Sequence, residues 1–595
     1  MAAPSVAASE DAPQRRSLVD SPWLPWGLAA YGLLTLYGTG DLTGALQTLH
    51  LGDTDDAMRL VEVRDLVAGQ SWFDMVEHRF LPPAGVASHW SRLVDAPLAA
   101  AIGVLTPLVG TSLAERITTA FWPPLLFLVY ALVLARGTRG LFNGRAAIFA
   151  IFAATQTLGL TIQFTPGRID HHNIQVILLL GVGLCLMQPV RSWRSGAIAG
   201  ALAAASLAVG LEALPAIALA GLIVVADWCL SARAAMPALA GFGFALTAGT
   251  TLLFGIQTAP ELWSANACDA LSPPWLWLSG IGGLTALAAA VLNPDRKAVR
   301  LGLTVGVGLF GIAGFAALFP ICLHGPFPGM PDLVRTRWLD QVREMMPIWT
   351  LVRATPAEAL GLTAALFAAA VAAVVLAATD AAHRRPLTIA SLFLALGAVQ
   401  TCLQLRGAYV ASGIVPIIAG ICLDRALPLS GTTPAGRMAR IALLASVLLL
   451  NGRAWLSVGR LGEDMASPAT TAQKAGTGEK SCKDAAAFSA LGAQPMGTVL
   501  AAIDLGPYLL AYTPHSIVAA PYHRATAGLI AGIAVSEGTQ EEIRRQAAAT
   551  GAAYLVLCPA TDDEGFAARL VHGETADWLE PVPLDGSPLK AWRIR

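Results

Sequence analysis

From Trp26 to about residue 456 the sequence runs through one apolar stretch after another, each near the ~20 residues that cross a bilayer core and many bounded by arginine. Runs of that length and number can be hidden from water only by a very large core or by lipid. Composition decides between them. Of 595 residues, 55% are hydrophobic and only 13% are charged, against about 25% charged in a soluble domain. Lipid is therefore the solvent for most of the length, and in lipid the backbone must satisfy its own polar groups, which favours helices. The expected fold class is mainly α: a polytopic membrane protein followed by a small C-terminal α/β domain. Thirteen helices are predicted, roughly 24–42, 118–136, 146–163, 173–189, 195–211, 214–231, 236–256, 273–292, 301–320, 357–378, 387–405, 407–423 and 439–456. A net charge of −1 argues against a nucleic-acid partner, which would favour a basic surface.

Charge then orients the helices. Arg15–Arg16, Arg136–Arg145, Arg191–Arg194, Arg233, Arg296–Arg300, Arg384–Arg385 and Arg425–Arg440 all fall on one side, which the positive-inside rule makes cytoplasmic. The apolar stretch 96–112 is short and punctuated by proline and glycine, and as a crossing it would invert every later loop. It is expected to lie on the outer surface. Residues 1–23 read as a cytoplasmic tail and 24–456 as the transmembrane domain, with long external loops 43–117 and 321–356. The first apolar run lacks a cleavage site and reads as a retained helix. Beyond a polar linker, 462–481, the pattern becomes that of a compact domain. Apolar runs at 497–503 and 516–520, a helical stretch at 539–550 and a buried strand at Tyr554–Leu557 place an extracytoplasmic α/β domain within 457–595. Cys185, Cys229, Cys402 and Cys422 fall in or at the ends of apolar spans and read as small buried side chains. Cys268 with Cys322, or Cys482 with Cys558, could pair if their segments face an oxidising compartment.

Two acidic clusters stand out in so uncharged a chain. Gly52-Asp53-Thr54-Asp55-Asp56 and Gly167-Arg168-Ile169-Asp170-His171-His172 each adjoin a hydrophobic span on the predicted outer side. Two carboxylates ~4 Å apart repel by roughly 4 kcal/mol at an effective dielectric of 20. A divalent cation turns that repulsion into binding, and Asp and His supply oxygen and nitrogen donors. In an extended 170–172 segment, Asp170 and His172 share a face.

The stretch Asp53-Thr-Asp-Asp-Ala-Met-Arg59-Leu60-Val61-Glu62 resembles the first-loop signature of oligosaccharyltransferase catalytic subunits, a family of GT-C membrane glycosyltransferases, and is closest to its archaeal single-subunit members. Asp170-His171-His172 is similar to the second acidic motif of the same enzymes. The resemblance implies that Asp53, Asp170 and His172 bind a divalent metal (Mg or Mn) and that Asp53 also engages the acceptor. Asp55 and Asp56 depart from the aromatic residues of the family pattern and are expected around the site or in solvent. Gln341-Val342-Arg343-Glu344-Met-Met-Pro347 resembles the mobile external loop whose glutamate contacts metal and acceptor, which marks Glu344 as catalytic together with Asp53. Gln404-Leu405-Arg406-Gly407-Ala408-Tyr409 resembles the segment whose arginine contacts the lipid-linked phosphate, here Arg406.

The family motif that reads a peptide sequon contains paired tryptophans. Its nearest match here, Ala502-Ile503-Asp504-Leu505-Gly506-Pro507-Tyr508, lacks them. His171, Trp90, Asp504, Tyr522, His523 and Arg524 are further candidates for the surroundings of the metal or for contact with the acceptor.

The expected activity is metal-dependent, inverting transfer of a sugar or oligosaccharide from a polyprenyl phosphate or diphosphate to an extracytoplasmic glycan, lipid or protein. Expected partners are that lipid-linked donor, the acceptor and membrane lipids. The expected location is a bacterial inner (cytoplasmic) membrane, with the active site and C-terminal domain outside. The competing classes are a transporter or flippase for a lipid-linked glycan and a non-catalytic scaffold. The first would place ionisable residues at mid-membrane depth, and the second leaves the acidic clusters without a role.

Overall fold

The computed structural model describes residues 23–39, 42–426, 434–466, 482–559 and 565–595. The predicted N-terminal tail with Arg15–Arg16 and most of the polar linker lie outside the described residues. The chain is a multi-pass helical membrane protein with a C-terminal sheet domain. Among the described residues eight helices are long and apolar enough to cross a bilayer: Arg92–Val109, Thr111–Leu141, Leu214–Ala234, Met236–Gln257, Pro273–Leu292, Lys297–Leu318, Pro356–Thr379 and Arg384–Leu403. Ten are, if each of two bent pairs counts as one span. The thirteen crossings expected from hydropathy are not confirmed as a number: the expected spans near 24–42, 173–189 and 195–211 are the shorter helices Leu24–Thr39, His172–Met187 and Trp193–Val209, and others are bent or split.

The differences have local causes. Gly144–Gln156 bends by 75° into Leu158–Phe164 at Thr157, whose hydroxyl turns back to the Ala153 carbonyl at 3.0 Å. Arg406–Ser412 meets Val415–Ala426 at 51°. There the carbonyl of Gly413 accepts a 2.7 Å hydrogen bond from the Tyr130 hydroxyl, the kind of substitute partner a broken helix needs in an apolar surrounding. The expected helix 439–456 is two helices, Pro434–Leu449 and Gly452–Ala466. Asn451 Oδ1 accepts from the amide of Ala454 at 3.0 Å and starts the second one. That helix carries Arg453, Arg460, Glu463 and Asp464, too many charges for a crossing. The stretch expected at 96–112 is helical, but it meets the length and apolarity of a span, so hydropathy alone does not mark it as a surface helix.

Helix Lys297–Leu318 buries almost nothing inside the protein, and its exposed Val305, Leu309, Phe310 and Ile312 are suited to lipid.

Loop 43–117 carries a small antiparallel pair, β1 (Val76–Glu77) and β2 (Val86–Ala87), and the C-terminal domain is built on a five-stranded sheet. Its strands are β3 (Thr498–Ala501), β4 (Ser516–Ile517), β5 (Tyr554–Leu557), β6 (Leu579–Val582) and β7 (Lys590–Ile594), in the order β4-β3-β5-β7-β6. The first three are mutually parallel and the last two join antiparallel. Helix Gln540–Thr550 begins with a reciprocal cap between Thr539 and Glu542, as the charge-alternating stretch at 539–550 led one to expect. The β4 edge is not free. The Leu81 amide donates to the Ile517 carbonyl at 2.9 Å and the Ile517 amide to the Arg79 carbonyl at 2.8 Å, so the long loop 43–117 extends the sheet. One hydrophobic core accordingly runs from Leu60, Val61 and Phe80 of that loop into Leu509, Ile517 and Tyr554.

Both cysteine pairings occur: Cys268–Cys322 and Cys482–Cys558 are disulfides. The four cysteines of the apolar spans are free. The second bridge closes 76 residues of chain, and a loop of that size loses about 4 kcal/mol of unfolded-state entropy. Cys558→Ser is expected to remove stabilisation on that scale, read as a lowered melting temperature of the full chain in detergent. A midpoint equal to that of the parent would show that the bridge contributes nothing.

Candidate active site

The two acidic clusters meet. Asp53 caps helix Thr54–Val67, its Oδ1 accepting from the amides of Asp55 at 3.0 Å and Asp56 at 3.2 Å. Asp56, fully buried, ties the clusters together. Its Oδ2 accepts from the Asp53 amide at 3.0 Å and its Oδ1 from the Asp170 amide at 2.9 Å. Glycine opens each cluster for a steric reason. A Cβ on Gly52 would stand 2.6 Å from both Arg168 Cδ and Asp56 Oδ2, and Gly167 has φ +86° with the His50 carbonyl 2.8 Å from where a Cβ would be.

Asp170 is held at both oxygens. Oδ1 accepts from the His171 amide at 2.6 Å and lies 2.5 Å from His171 Nδ1, while Oδ2 lies 2.5 Å from His172 Nδ1. Asp170, His171 and His172 thus present donor atoms all within 4.8 Å of one another. Asp53, the third residue expected to bind the metal, points to the Arg168 guanidinium, which also reaches Asp56 at 3.2 Å, while His171 stands beside Asp170 and His172. The cause is electrostatic, since Arg168 lies beside two otherwise uncompensated carboxylates. The clusters share one cavity nonetheless.

His172 Nε2 is buried, makes no hydrogen bond and lies 3.4 Å from Glu344 Oε1. The other oxygen of Glu344 is 3.1 Å from Arg406 Nη2 and 3.2 Å from Arg406 Nε. The long loop 321–356 therefore folds back over the site, and the Leu405 amide pins it by donating to the Met346 carbonyl at 2.8 Å. Burial opposes ionisation of Glu344, but His172 and Arg406 outweigh it and hold its carboxyl below the usual range. An imidazole with its Nδ1 on one carboxylate and its Nε2 facing a second across 3.4 Å is an arrangement that can take a metal ion. The residues present, Asp170 and His172 with Glu344 and the nearby Asp53 and Asp55, fit a divalent cation.

Three neighbours were not expected in the site. Glu212 lies between two apolar helices and puts Oε1 3.1 Å from His171 Nε2. Burial would lower the His171 imidazole, but Asp170 and Glu212 prevail and raise it to about 9. Arg59 is fully buried, 2.6 Å from Asp95 and 3.5 Å from Glu62, with its Nη2 3.9 Å from Asp170 and its guanidinium 4.2 Å from the Trp90 ring centre. Arg168 is the third. The only sequence signals were an arginine inside a motif quoted for its neighbours, an arginine inside an acidic cluster, and a lone Glu212 near Pro215.

The remaining expected residues surround this centre. Asp55 accepts from the Tyr522 hydroxyl at 3.3 Å. Burial, then the charges of Asp170, Asp53 and Glu344, push its carboxyl up to about 8. Trp90 packs edge-on against Tyr522 and tilted against His171, and Asp504 lines the cavity. His523 and Arg524 are turned to Asp269 rather than toward the acidic centre. The cavity lined by Asp53, Asp55, Trp90, Glu344, Arg406, Asp504, Tyr522 and His523 measures about 1480 Å³ and extends between the membrane helices and the C-terminal domain.

No protein-family model matches the chain, and no curated protein does. Solved structures do. The oligosaccharyltransferase AglB from Archaeoglobus fulgidus, in complex with an inhibitory peptide and a dolichol-phosphate, superposes with a TM-score of 0.62 at 14% identity, over 91% of this chain and 70% of that one. The A. fulgidus enzyme in its apo form gives 0.63 at 15%, over 90% and 70%. Its complex with Zn and sulfate gives 0.59 at 14%, over 89% and 67%. At such identity the likeness is one of fold, and the fold is that of an archaeal oligosaccharyltransferase, as the motifs implied.

Proposed function

We propose that the chain is a membrane glycosyltransferase that moves a sugar or oligosaccharide from a polyprenyl phosphate or diphosphate to a glycan, lipid or protein acceptor on the extracytoplasmic side of a bacterial inner membrane. The observation that carries this reading is the meeting of His172, Glu344 and Arg406 beneath loop 321–356, in a cavity on this fold. A transporter would place its ionisable groups at mid-membrane depth. Here they gather where the helices end and the C-terminal domain begins.

Each residue has a task its surroundings support. Arg406 binds the donor phosphate with its planar fork of donors, and Glu344 holds that fork in place until the phosphate arrives. Asp53 and Glu344 orient the acceptor and take up its proton if it carries one. Tyr522 and Trp90 wall the acceptor side. Asp170 holds His172 with Nε2 toward the cavity. A divalent cation (Mg or Mn), when bound by Asp170, His172 and Asp53, would supply charge neutralisation for the leaving phosphate. Displacement in a single step inverts the sugar carbon.

Deleting the gene in its host and comparing surface glycolipids and glycoproteins by mass spectrometry tests the activity. Loss of one sugar from one class of molecule is expected, and an unchanged profile would refute sugar transfer. With the purified chain, Arg406→Ala should raise the KM for donor about tenfold to a hundredfold, the equivalent of roughly 1.5–3 kcal/mol of charge-assisted hydrogen bonding. A change confined to the acceptor KM would overturn its assignment.

A further inference from the structure

A second group of ligand-type side chains lies apart from the acidic centre. His89 sits between strand β2 (Val86–Ala87) and helix Arg92–Val109, Asp269 directly follows disulfide-bonded Cys268, and His523 belongs to the C-terminal domain. Two imidazole nitrogens and a carboxylate oxygen from these residues lie within 4.8 Å of one another. His523 Nε2 is 2.6 Å from Asp269 Oδ2, and the two imidazole rings are edge-to-face with centres 4.7 Å apart.

The surroundings hold each donor in place. The guanidinium of Arg524 grips Asp269 through both oxygens, Nε at 2.8 Å and Nη2 at 3.0 Å, and also donates to the Ser88 carbonyl at 2.8 Å, one residue before His89. Phe327 packs on the His523 ring at 4.4 Å, and the Cys268–Cys322 disulfide ties the Asp269 segment to the loop that carries Phe327. The group stands in the wall between the large cavity and a second one of about 640 Å³, and all three side chains line both.

We propose that His89, Asp269 and His523 form a second metal site, for a divalent transition ion of the zinc class, that clamps loop 43–117, the disulfide-tied loops and the C-terminal domain together. Two imidazoles with one carboxylate are a donor set such ions take, and a donor set that Mg or Ca does not select. A carboxylate ligand is itself usually hydrogen-bonded by an outer partner, the place Arg524 fills. Donors from three distant parts of the chain make occupancy a staple. The proposal does not depend on the sugar-transfer reading, since none of the three residues takes part in it.

The test uses the full chain in detergent, stripped of metal and titrated calorimetrically with Zn²⁺. The double variant His89→Gln/His523→Gln is expected to bind one zinc fewer than the parent chain, while Asp170→Asn, which leaves this group intact, retains that zinc. Equal zinc uptake by the double variant and the parent would overturn the site. Zinc-edge anomalous diffraction from the unsubstituted, zinc-loaded protein reads the same question without a variant. A peak among His89, Asp269 and His523 is expected, and density elsewhere with none there would show the group to be a metal-free hydrogen-bonded latch.

Discussion

Asp170→Asn is expected to lower sugar transfer by about 10³- to 10⁴-fold, the scale on which a histidine held in the wrong tautomer loses its function. The backbone amide of His171 can only donate, so the Asn oxygen must take the Oδ1 position. The new NH₂ then faces His172 Nδ1 in place of a carboxylate oxygen. Nδ1 has to accept, the proton moves to Nε2, and the nitrogen that lies 3.4 Å from Glu344 no longer offers a lone pair to the cavity. Metal uptake at this site should fall with turnover. The measurement is single-turnover release of the polyprenyl carrier, alongside titration of the chain with Mn²⁺. Reversible arrest of the parent enzyme by a chelator is the matching control. Parent-level activity in Asp170→Asn would remove Asp170 and His172 from the reaction.

The largest effect on stability is expected at Arg59. This guanidinium is wholly enclosed, and around it lie Asp95 at 2.6 Å, Glu62 at 3.5 Å and Asp170 at 3.9 Å. Asp95 is also paired with Arg92 at 3.2 Å, and both are buried. Truncating one partner of a buried ion pair strands the other charge where water cannot reach it, which costs about 3–5 kcal/mol. Arg59→Met should therefore lower the unfolding free energy of the full chain by that amount in mixed detergent micelles. Arg59→Lys should recover part of it, because the charge survives while the fork to Asp95 and the stack on Trp90 do not. A stable Arg59→Met protein would mean that Arg92 alone compensates Asp95 and that Glu62 is neutral in the fold. Burial, with Asp95 the next contributor, already pushes Glu62 up to about 8.

Much of this site could be read from residues. Aspartate and histidine in a charge-poor chain are conspicuous, and the structure brings Asp53, Asp170, His172, Glu344 and Arg406 to or beside one cavity. Arg59, Arg168 and Glu212 were harder to find because their partners are remote: Arg59 meets Asp95 36 residues on, and Arg168 meets Asp53 115 residues back. Asp53 shows the same limit. Its place in the site was legible, yet its present partner is a cation of the chain itself.

Hydropathy and charge are local properties, and they suffice to decide the solvent and the helical class. They do not decide where a helix breaks. Thr157 and Gly413 interrupt apolar runs because neighbouring side chains and packing satisfy the freed backbone groups. Nor do they show that residues 79–81 complete a sheet more than 400 residues away in sequence. Such long-range pairings, and the ion pairs of Arg59 and Arg168, exist only once folding has brought distant segments together. By itself, then, the sequence determined a lipid-embedded helical chain whose acidic and histidine clusters lie outside the apolar runs. Tertiary structure alone decided which carboxylate meets which cation, because a buried charge takes the partner that packing leaves within reach.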